Sequence, residues 1–431
     1  MTKWPVAIIY KLPTIGQLDC RQVPKSCQGD SKDGIFAPHA PLSEKRSIRE
    51  NATMADVSSL SAHETREDLS GVFAPLNSAQ HAPGYVYGSA EMLKLEKEKI
   101  FMKDWLCVGR VEELEKAGDY LTLRILGEPV LVTKDENGNY NGLMNVCRHR
   151  GVEVAHGNGN VKEFMCPYHG WVYDLKGKLV GAPYMKEAKG FDPSRCRLRA
   201  LKTEVWAGNI YVTLNDQPRP FADFIADFRA DVGFLKPEEC RLADKLEVEI
   251  NCNWKLLIEN LMDIYHVSVL HVRTFGKYVT PKTYDAHLRK NGGVIAYYKA
   301  APLTPDGKSL FGKLPWLEDR PDTFGCQGHL APNMNVLARS DLVKFYVVWP
   351  LAPDRCRLIA YSLLPKEFFD HPGFQEKVQV YRQHMKDFLA EDETMILSLQ
   401  NVMSSQRFDP GPMSSLEISI HHVLSNHLMR V

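Results

Sequence analysis

The chain has 431 residues, which at about 150 residues per domain predicts two or three domains. Hydrophobic residues make up 44%, charged residues 25% and aromatic residues 10%; this globular composition excludes a wholly disordered, collagenous or coiled-coil protein. Lys+Arg and Asp+Glu are 53 each, so the basic surface that a phosphate backbone needs is not expected, nor is a nucleic-acid partner.

Residues 1–72 show no helical or strand periodicity and are rich in Ser, Pro, Gly, Asp and Lys. They read as a disordered leader, with Met54 as an alternative start of translation. The apolar patch Trp4 to Tyr10 is interrupted by Pro5 and ended by Lys11. Neither a secretory signal nor a membrane span is expected. Residues 73–102 form a helical segment, in which Met92, Leu95 and Ile100 among Lys and Glu predict an amphipathic helix over Ser89 to Met102. Short alternating runs follow at Tyr120 to Ile125, Pro129 to Val132 and Tyr140 to Val146. With a hairpin around Leu175 to Lys178 and a closing strand at Asn209 to Leu214, they predict an all-β domain over 103–216. Pro218 and Pro220 punctuate the boundary. Residues 217–431 read as α+β: a helix after Asn253, strands near Ile295 to Lys299, Val343 to Trp349 and Leu358 to Leu363, and a long C-terminal helix.

Ten cysteines scattered over so long a chain predict a reducing cytoplasm, where close Cys/His spacings bind metal. Cys147, His149, Cys166 and His169 give C-x-H-x16-C-x2-H. Zinc is one reading of two thiolates and two imidazoles. The mixed pairing, one Cys and one His on each loop, favours a Rieske [2Fe–2S] centre, in which the cysteines bind one iron and the histidines the other. Gly151 and Gly170 closely follow the two ligand pairs and permit close backbone approach. His156 fits neither loop and reads as a surface residue. The other eight cysteines show no metal spacing.

A second constellation lies in the helix opened by Asn253-Trp254-Lys255. That helix is apolar nearly all round, which predicts burial. Yet Asn260, Asp263 and His266 recur every three residues as a polar stripe. His271 follows His266 by five residues, about 140° round an ideal helix, so the helix must distort or end for both to reach one ion. The third ligand of a two-His-one-carboxylate iron site is expected in the C-terminal helix. There Phe374, Val378, Tyr381, Met385 and Phe388 step by four and three, and the rhythm resumes at Met395, Leu399 and Val402. Asp392 stands where this core-facing stripe calls for an apolar residue. Glu391 and Glu393 fall off the stripe and read as solvated.

From about residue 75 to 431 the sequence resembles the large oxygenase subunit of the Rieske non-haem iron, aromatic ring-hydroxylating oxygenases. The resemblance rests on the order of the Rieske loops, Asn253-Trp254-Lys255, Glu259-Asn260, Asp263-x2-His266-x4-His271, and Glu391-Asp392 leading to Gln400. It implies that His266, His271 and Asp392 bind mononuclear Fe2+. Asp263 would bridge His266 to a Rieske histidine, His169, of the neighbouring subunit in a homotrimer, with or without a β subunit. Asn260 would sit near the iron, in a helix-grip catalytic domain. It further implies O2 as co-substrate, one electron from each metal centre, and an aromatic small-molecule substrate. No G-x-G-x-x-G follows a strand and no plant-type ferredoxin spacing occurs. The chain is therefore expected to bind no NAD or flavin and to take electrons from a separate NADH-dependent reductase, with or without a ferredoxin. Two alternatives stand beside aromatic ring hydroxylation. One is a Rieske monooxygenase that removes O- or N-methyl groups or attacks a quaternary ammonium. The other is an electron-transfer protein with an inactive second site.

Overall fold

The computed structural model describes residues 69–431. The expected leader, Met54 included, lies outside the described residues except at its end. There the expectation of disorder to residue 72 is corrected: Ser70–Phe73 is a helical turn, Val72 packs into the main hydrophobic core, and His421 and Ser425 hydrogen-bond to its carbonyl.

The predicted amphipathic helix forms as α1 (Ala90–Glu96), capped by the Ser89 hydroxyl, which accepts from the Met92 amide at 2.9 Å. A π-turn over Lys97–Phe101 extends it. Ten strands follow: β1 (Trp105–Arg110), β2 (Asp119–Ile125), β3 (Glu128–Lys134), β4 (Tyr140–Met144), β5 (Asn158–Asn160), β6 (Phe164–Met165), β7 (Val172–Tyr173), β8 (Leu179–Gly181), β9 (Ala200–Trp206) and β10 (Asn209–Thr213). Seven of them make a sheet in the order β1-β10-β9-β4-β3-β2-β5, and β6-β7-β8 make a small second one. Every pairing is antiparallel; hairpin-length connections dictate this for β2-β3, β3-β4, β6-β7, β7-β8 and β9-β10. The small sheet and the loops before and after β6 pack into a core of their own around Leu131, Leu143, Trp171, Tyr173 and Leu198.

Helix α2 (Phe221–Val232) leads to β11 (Cys240–Ile250), then α3 (Trp254–Met262) and the single turn α4 (Val267–Leu270). Six strands complete a second antiparallel sheet: β12 (Val279–Leu288), β13 (Val294–Ala300), β14 (Phe324–Leu330), β15 (Met334–Arg339), β16 (Leu342–Ala352) and β17 (Arg355–Pro365). Its order is β11-β17-β16-β15-β14-β13-β12. The first nine residues of β16 and the last eight of β17 are buried on both faces, which marks a sheet covered on each side. Helix α5 (Phe374–Val402) and α6 (Ile418–Leu428) close the chain. The mixed α+β architecture read from the sequence is the one found.

Helix α5 has 29 residues and runs about 43 Å at 1.5 Å per residue. Its buried positions are Phe374, Val378, Tyr381, His384, Met385, Leu389, Asp392 and Ile396; the expected rhythm holds through Asp392 except at Phe388, which is half-buried while Leu389 beside it is buried. Beyond it the expectation is corrected: Met395, Leu399 and Val402 are 46%, 47% and 45% exposed, and only Ile396 continues the core face.

Several motif residues work as fastenings. Asn253 caps α3, its Oδ1 accepting from the Lys255 amide at 3.0 Å, and its own amide donates to Gln400 Oε1 at 2.6 Å. Trp254 Nε1 and Lys255 Nζ both donate to the buried carboxylate of Glu96, at 2.8 and 2.5 Å, and His427 reaches the same carboxylate at 3.0 Å. The Tyr87 hydroxyl donates to Glu259 at 2.9 Å, tying the segment before α1 to α3. The β-rich region is fastened as firmly: Asn333 exchanges two hydrogen bonds with the backbone of Cys107 in β1. Among the described residues, no helix is long and apolar enough to cross a membrane.

Candidate metal centres

Helix α3 ends at Met262, and the Asp263 backbone is extended, at φ −81°, ψ 120°. This corrects the reading of Asn260, Asp263 and His266 as one helical stripe. The break is what brings His271 round: a single helical turn and a 3-10 turn, His271–Arg273, follow. They carry its ring back beside that of His266, with Nε2 to Nε2 at 3.2 Å. From α5, Asp392 Oδ1 reaches His271 Nε2 at 3.0 Å and His266 Nε2 at 3.4 Å. Asn260 Nδ2 donates to the same oxygen at 3.1 Å. The three candidate ligand atoms lie within 4.8 Å of one another, with His271 and Asp392 buried.

Each imidazole is held from behind by a carboxylate. His266 Nδ1 lies 2.8 Å from Asp263 Oδ2, and His271 Nδ1 lies 2.8 Å from Glu391 Oε2. Glu391 also accepts from the Thr274 hydroxyl at 2.7 Å. The expectation of a solvated Glu391 is thus corrected: it orients a candidate ligand. With both Nδ1–H groups donated to carboxylates, both Nε2 lone pairs point at each other and at a carboxylate oxygen. Three electron-rich atoms converging in a buried space repel unless a cation or a proton lies among them. Without a metal ion the proton serves. Burial opposes charge on His266, but Asp263 and Asp392 outweigh it and lift its pKa to about 9. Two neutral imidazoles and one carboxylate are a donor set for divalent iron with coordination positions left open.

In the β-rich region, the loops after β4 and after β6 are built alike. The Cys147 amide donates to Val152 O at 2.8 Å, and Gly151 N donates to Cys147 O at 2.9 Å. The Cys166 amide donates to Trp171 O at 2.7 Å, and Gly170 N donates to Cys166 O at 3.1 Å. Gly151 and Gly170 sit at φ +81° and +69°, a left-handed conformation that costs glycine little. Both thiols are buried. Both imidazoles are exposed and turn Nδ1 toward Nδ1 at 3.1 Å. Thiols on the inner side and paired imidazoles on the outer side fit a two-iron cluster divided between sulfur-ligated and nitrogen-ligated iron. Trp171 stacks on His149, with ring centroids 5.0 Å apart. The Tyr173 hydroxyl accepts from the Arg148 amide at 3.0 Å and lies 3.3 Å from Cys147 Sγ. Sequence reasoning missed Tyr173; the run Trp171-Val172-Tyr173 directly after the second loop was the available signal. His156 is exposed, as expected.

Within one chain neither Rieske-type imidazole hydrogen-bonds to the Asp263–His266 pair. Asp263 instead borders an open cleft of about 880 Å³. Around it stand Tyr265, Val269, Val272, Met395 and Leu399, which are 55%, 78%, 54%, 46% and 47% exposed.

Comparison with known proteins matches residues 104–196 to the Rieske [2Fe-2S] domain and residues 237–430 to the ring hydroxylating alpha subunit (catalytic domain). The carnitine monooxygenase oxygenase subunit of Acinetobacter pittii is 30% identical over 192 residues, 44% of this chain and 52% of that one. The chain thus spans about half the length of that relative. The 2-aminobenzenesulfonate 2,3-dioxygenase subunit alpha of an Alcaligenes species is 28% identical, covering 64% of this chain and 73% of that one. The solved structure of a quaternary ammonium Rieske monooxygenase shares the fold, with a TM-score of 0.70 at 22% identity over 82% of this chain and 95% of that one. The two matched domains each contain one of the two donor sets, in the order and separation the sequence motifs require, and the chain belongs to the large-subunit family of the Rieske non-haem iron oxygenases.

Proposed function

We propose that this chain is the terminal oxygenase component of a cytoplasmic multi-component system, using O2 and externally supplied electrons to hydroxylate an aromatic substrate. The reading is carried by the convergence of His266 Nε2, His271 Nε2 and Asp392 Oδ1, each histidine backed by a carboxylate. In it, His266, His271 and Asp392 hold Fe2+, and Cys147, His149, Cys166 and His169 hold the [2Fe–2S] cluster. These two groups supply the site for O2 activation and the stored electrons. The protein's own part is to fix and insulate that chemistry. Asp263 and Glu391 hold the imidazoles in the tautomer that presents Nε2, and Asn260 steadies the Asp392 carboxylate. Leu261, Ile264, Phe275 and Phe388 give the adjoining cavity apolar walls.

The exposed edges of His149 and His169 suit electron entry from a separate NADH-dependent reductase, with or without a ferredoxin. Asp263, at the mouth of an apolar-rimmed cleft, suits electron transfer from His169 of a neighbouring protomer in a homotrimer. A second reading, N-demethylation or attack on a quaternary ammonium, is favoured by the resemblance to the carnitine enzyme. Turnover under 18O2 with a surrogate reductase, across aromatic acids, aromatic hydrocarbons, methoxybenzoates and methylated amines, tests both. Two labelled oxygens on a dihydrodiol establish ring dioxygenation, and one labelled ring hydroxyl establishes ring monooxygenation. Formaldehyde from a methyl donor moves the protein to the demethylase branch. Incorporation into none of these classes refutes the oxygenase reading.

A further inference from the structure

We infer, building on that reading, that the substrate carries an anionic oxygen group, a carboxylate or a sulfonate, and that Arg339 is the residue that holds it. Arg339 ends β15 and lines the same cavity as His266, His271 and Asp392. It is 1% exposed. Its Nη1 donates to the Tyr298 hydroxyl at 3.1 Å and to Ala338 O at 3.0 Å. Its buried Nε has no hydrogen-bond partner, and the guanidinium makes no ion pair among the described residues. The Tyr298 ring lies against it, centroid 5.1 Å away. That tyrosine does not neutralise the charge: its hydroxyl proton is donated onward to Gln327 Oε1 at 2.9 Å, and burial raises its pKa so that it stays a phenol. Asp341, two residues along, accepts from the Tyr381 hydroxyl with one oxygen, and its other oxygen has no hydrogen-bond partner among the described residues; it acts on Arg339 at longer range without forming an ion pair.

Lys344, a second buried cation, stands opposite Leu337 of the cavity wall in the paired strand; its Nζ hydrogen-bonds to Met385 Sδ at 3.3 Å, and Asp244 and Asp341 act on its charge. Space is kept for the guanidinium as well: a Cβ on Gly325 would come within 3.2 Å of Arg339 Nη1. A buried guanidinium that makes no ion pair is costly, and a planar fork of donors lining a cavity is complementary to a carboxylate or sulfonate. The remaining walls, with Leu261, Phe275 and Leu337, are apolar. The substrate class that follows is a small acid with an apolar body, its charge anchored at Arg339 so that a carbon away from the acid group faces the His266–His271–Asp392 cluster. A cation without an acid group would bring like charge to Arg339 and is disfavoured.

Isothermal titration calorimetry of the metal-replete oxidised protein, without reductant, tests this independently of turnover. The probes are benzoate, benzenesulfonate and cyclohexanecarboxylate, with benzamide and phenyltrimethylammonium as uncharged and cationic counterparts. At least one acid should bind about tenfold or more tighter than benzamide, the scale of a charge-assisted hydrogen-bonded pair. Arg339→Gln should erase that preference, and Arg339→Lys should restore part of it. Should Arg339→Gln fail to fold by circular dichroism, the acid-against-amide comparison in the unaltered protein decides the matter. Equal binding of acid and amide, preference for the ammonium, no acid binding at all, or an acid preference that survives in Arg339→Gln would overturn the inference. Acids that bind through Arg339 yet never take up labelled oxygen would leave the anion site standing and refute the oxygenase reading. Labelled products whose formation ignores Arg339 would do the reverse.

Discussion

Asp392 occupies a position that the periodicity of α5 assigns to an apolar side chain, and its burial is compensated entirely by His266, His271 and Asn260. Removing that carboxylate should therefore affect one centre and leave the other alone. Asp392→Ala is expected to lose the mononuclear iron and bring turnover below detection, with the visible spectrum of the Rieske cluster unchanged. Iron analysis beside that spectrum checks it; loss of the cluster, or surviving turnover, contradicts the assignment. Glu391 acts one step further out. Glu391→Gln keeps an acceptor near His271 Nδ1 but removes the charge, and should weaken iron retention about 10–100-fold in a chelator-competition assay. Asp392 was legible in the sequence because it interrupts an apolar rhythm. Glu391 was not, since an acid beside an acid on a helix reads as a solvated face and its partner His271 is distant in the chain. Arg339 was equally hidden: a charge at the end of a short strand marks itself only when its surroundings are known to lack an ion-pair partner.

Among the elements, the strands most readily found in the sequence were those with apolar runs, such as β13, β16 and β17. Those overlooked include β14 and β15, whose buried residues include Gln327, His329, Asn335 and Arg339. Strands that carry buried polar side chains break the apolar patterns by which strands are recognised. The stripe read into α3 failed for a related reason: helical spacing presumes an unbroken helix, and the extended Asp263 ends it. The Asn253-Trp254-Lys255 motif, in contrast, carried more than position. It is the fastening of α3 to α1, α5 and α6. Burial alone would raise the pKa of Glu96, but Lys255 and then His427 outweigh burial and hold it at about 2, against 4.5 for an ordinary glutamate. The folded value lies below the unfolded one, so this contribution is fully present above pH 4.5 and is lost as the pH falls toward 2. A shift of that size corresponds to about 3 kcal/mol. Glu96→Gln, which leaves Lys255 buried without its counter-ion, is expected to cost about 3–5 kcal/mol in urea denaturation at pH 7, and to flatten the acid limb of the stability profile.

For the whole molecule, the exposed apolar residues around Asp263 set an expectation about assembly. A contiguous apolar rim on a soluble surface marks a protein contact, and the proposed trimer would bury it. Leu399→Glu should lower the sedimenting mass while leaving both metal centres loaded. It should also slow reoxidation of the reduced Rieske cluster by O2, because the electron then has no neighbouring protomer to enter. Unchanged mass and unchanged reoxidation would place the contact elsewhere.

The break after Met262 has a consequence for how the fold behaves when its iron is withdrawn. His266 and His271 sit on a stretch with one four-residue helix and one 3-10 turn to hold it, whereas Asp392 belongs to a long helix laid on a broad sheet. An ion gripped by all three would act as a rivet between a pliant strip and a rigid beam. Amide exchange in the chelated protein should accelerate over residues 263–275 while α5 keeps its protection, the pattern expected of a locally unfolding unit. The chain would then open and close its own iron site from one side only.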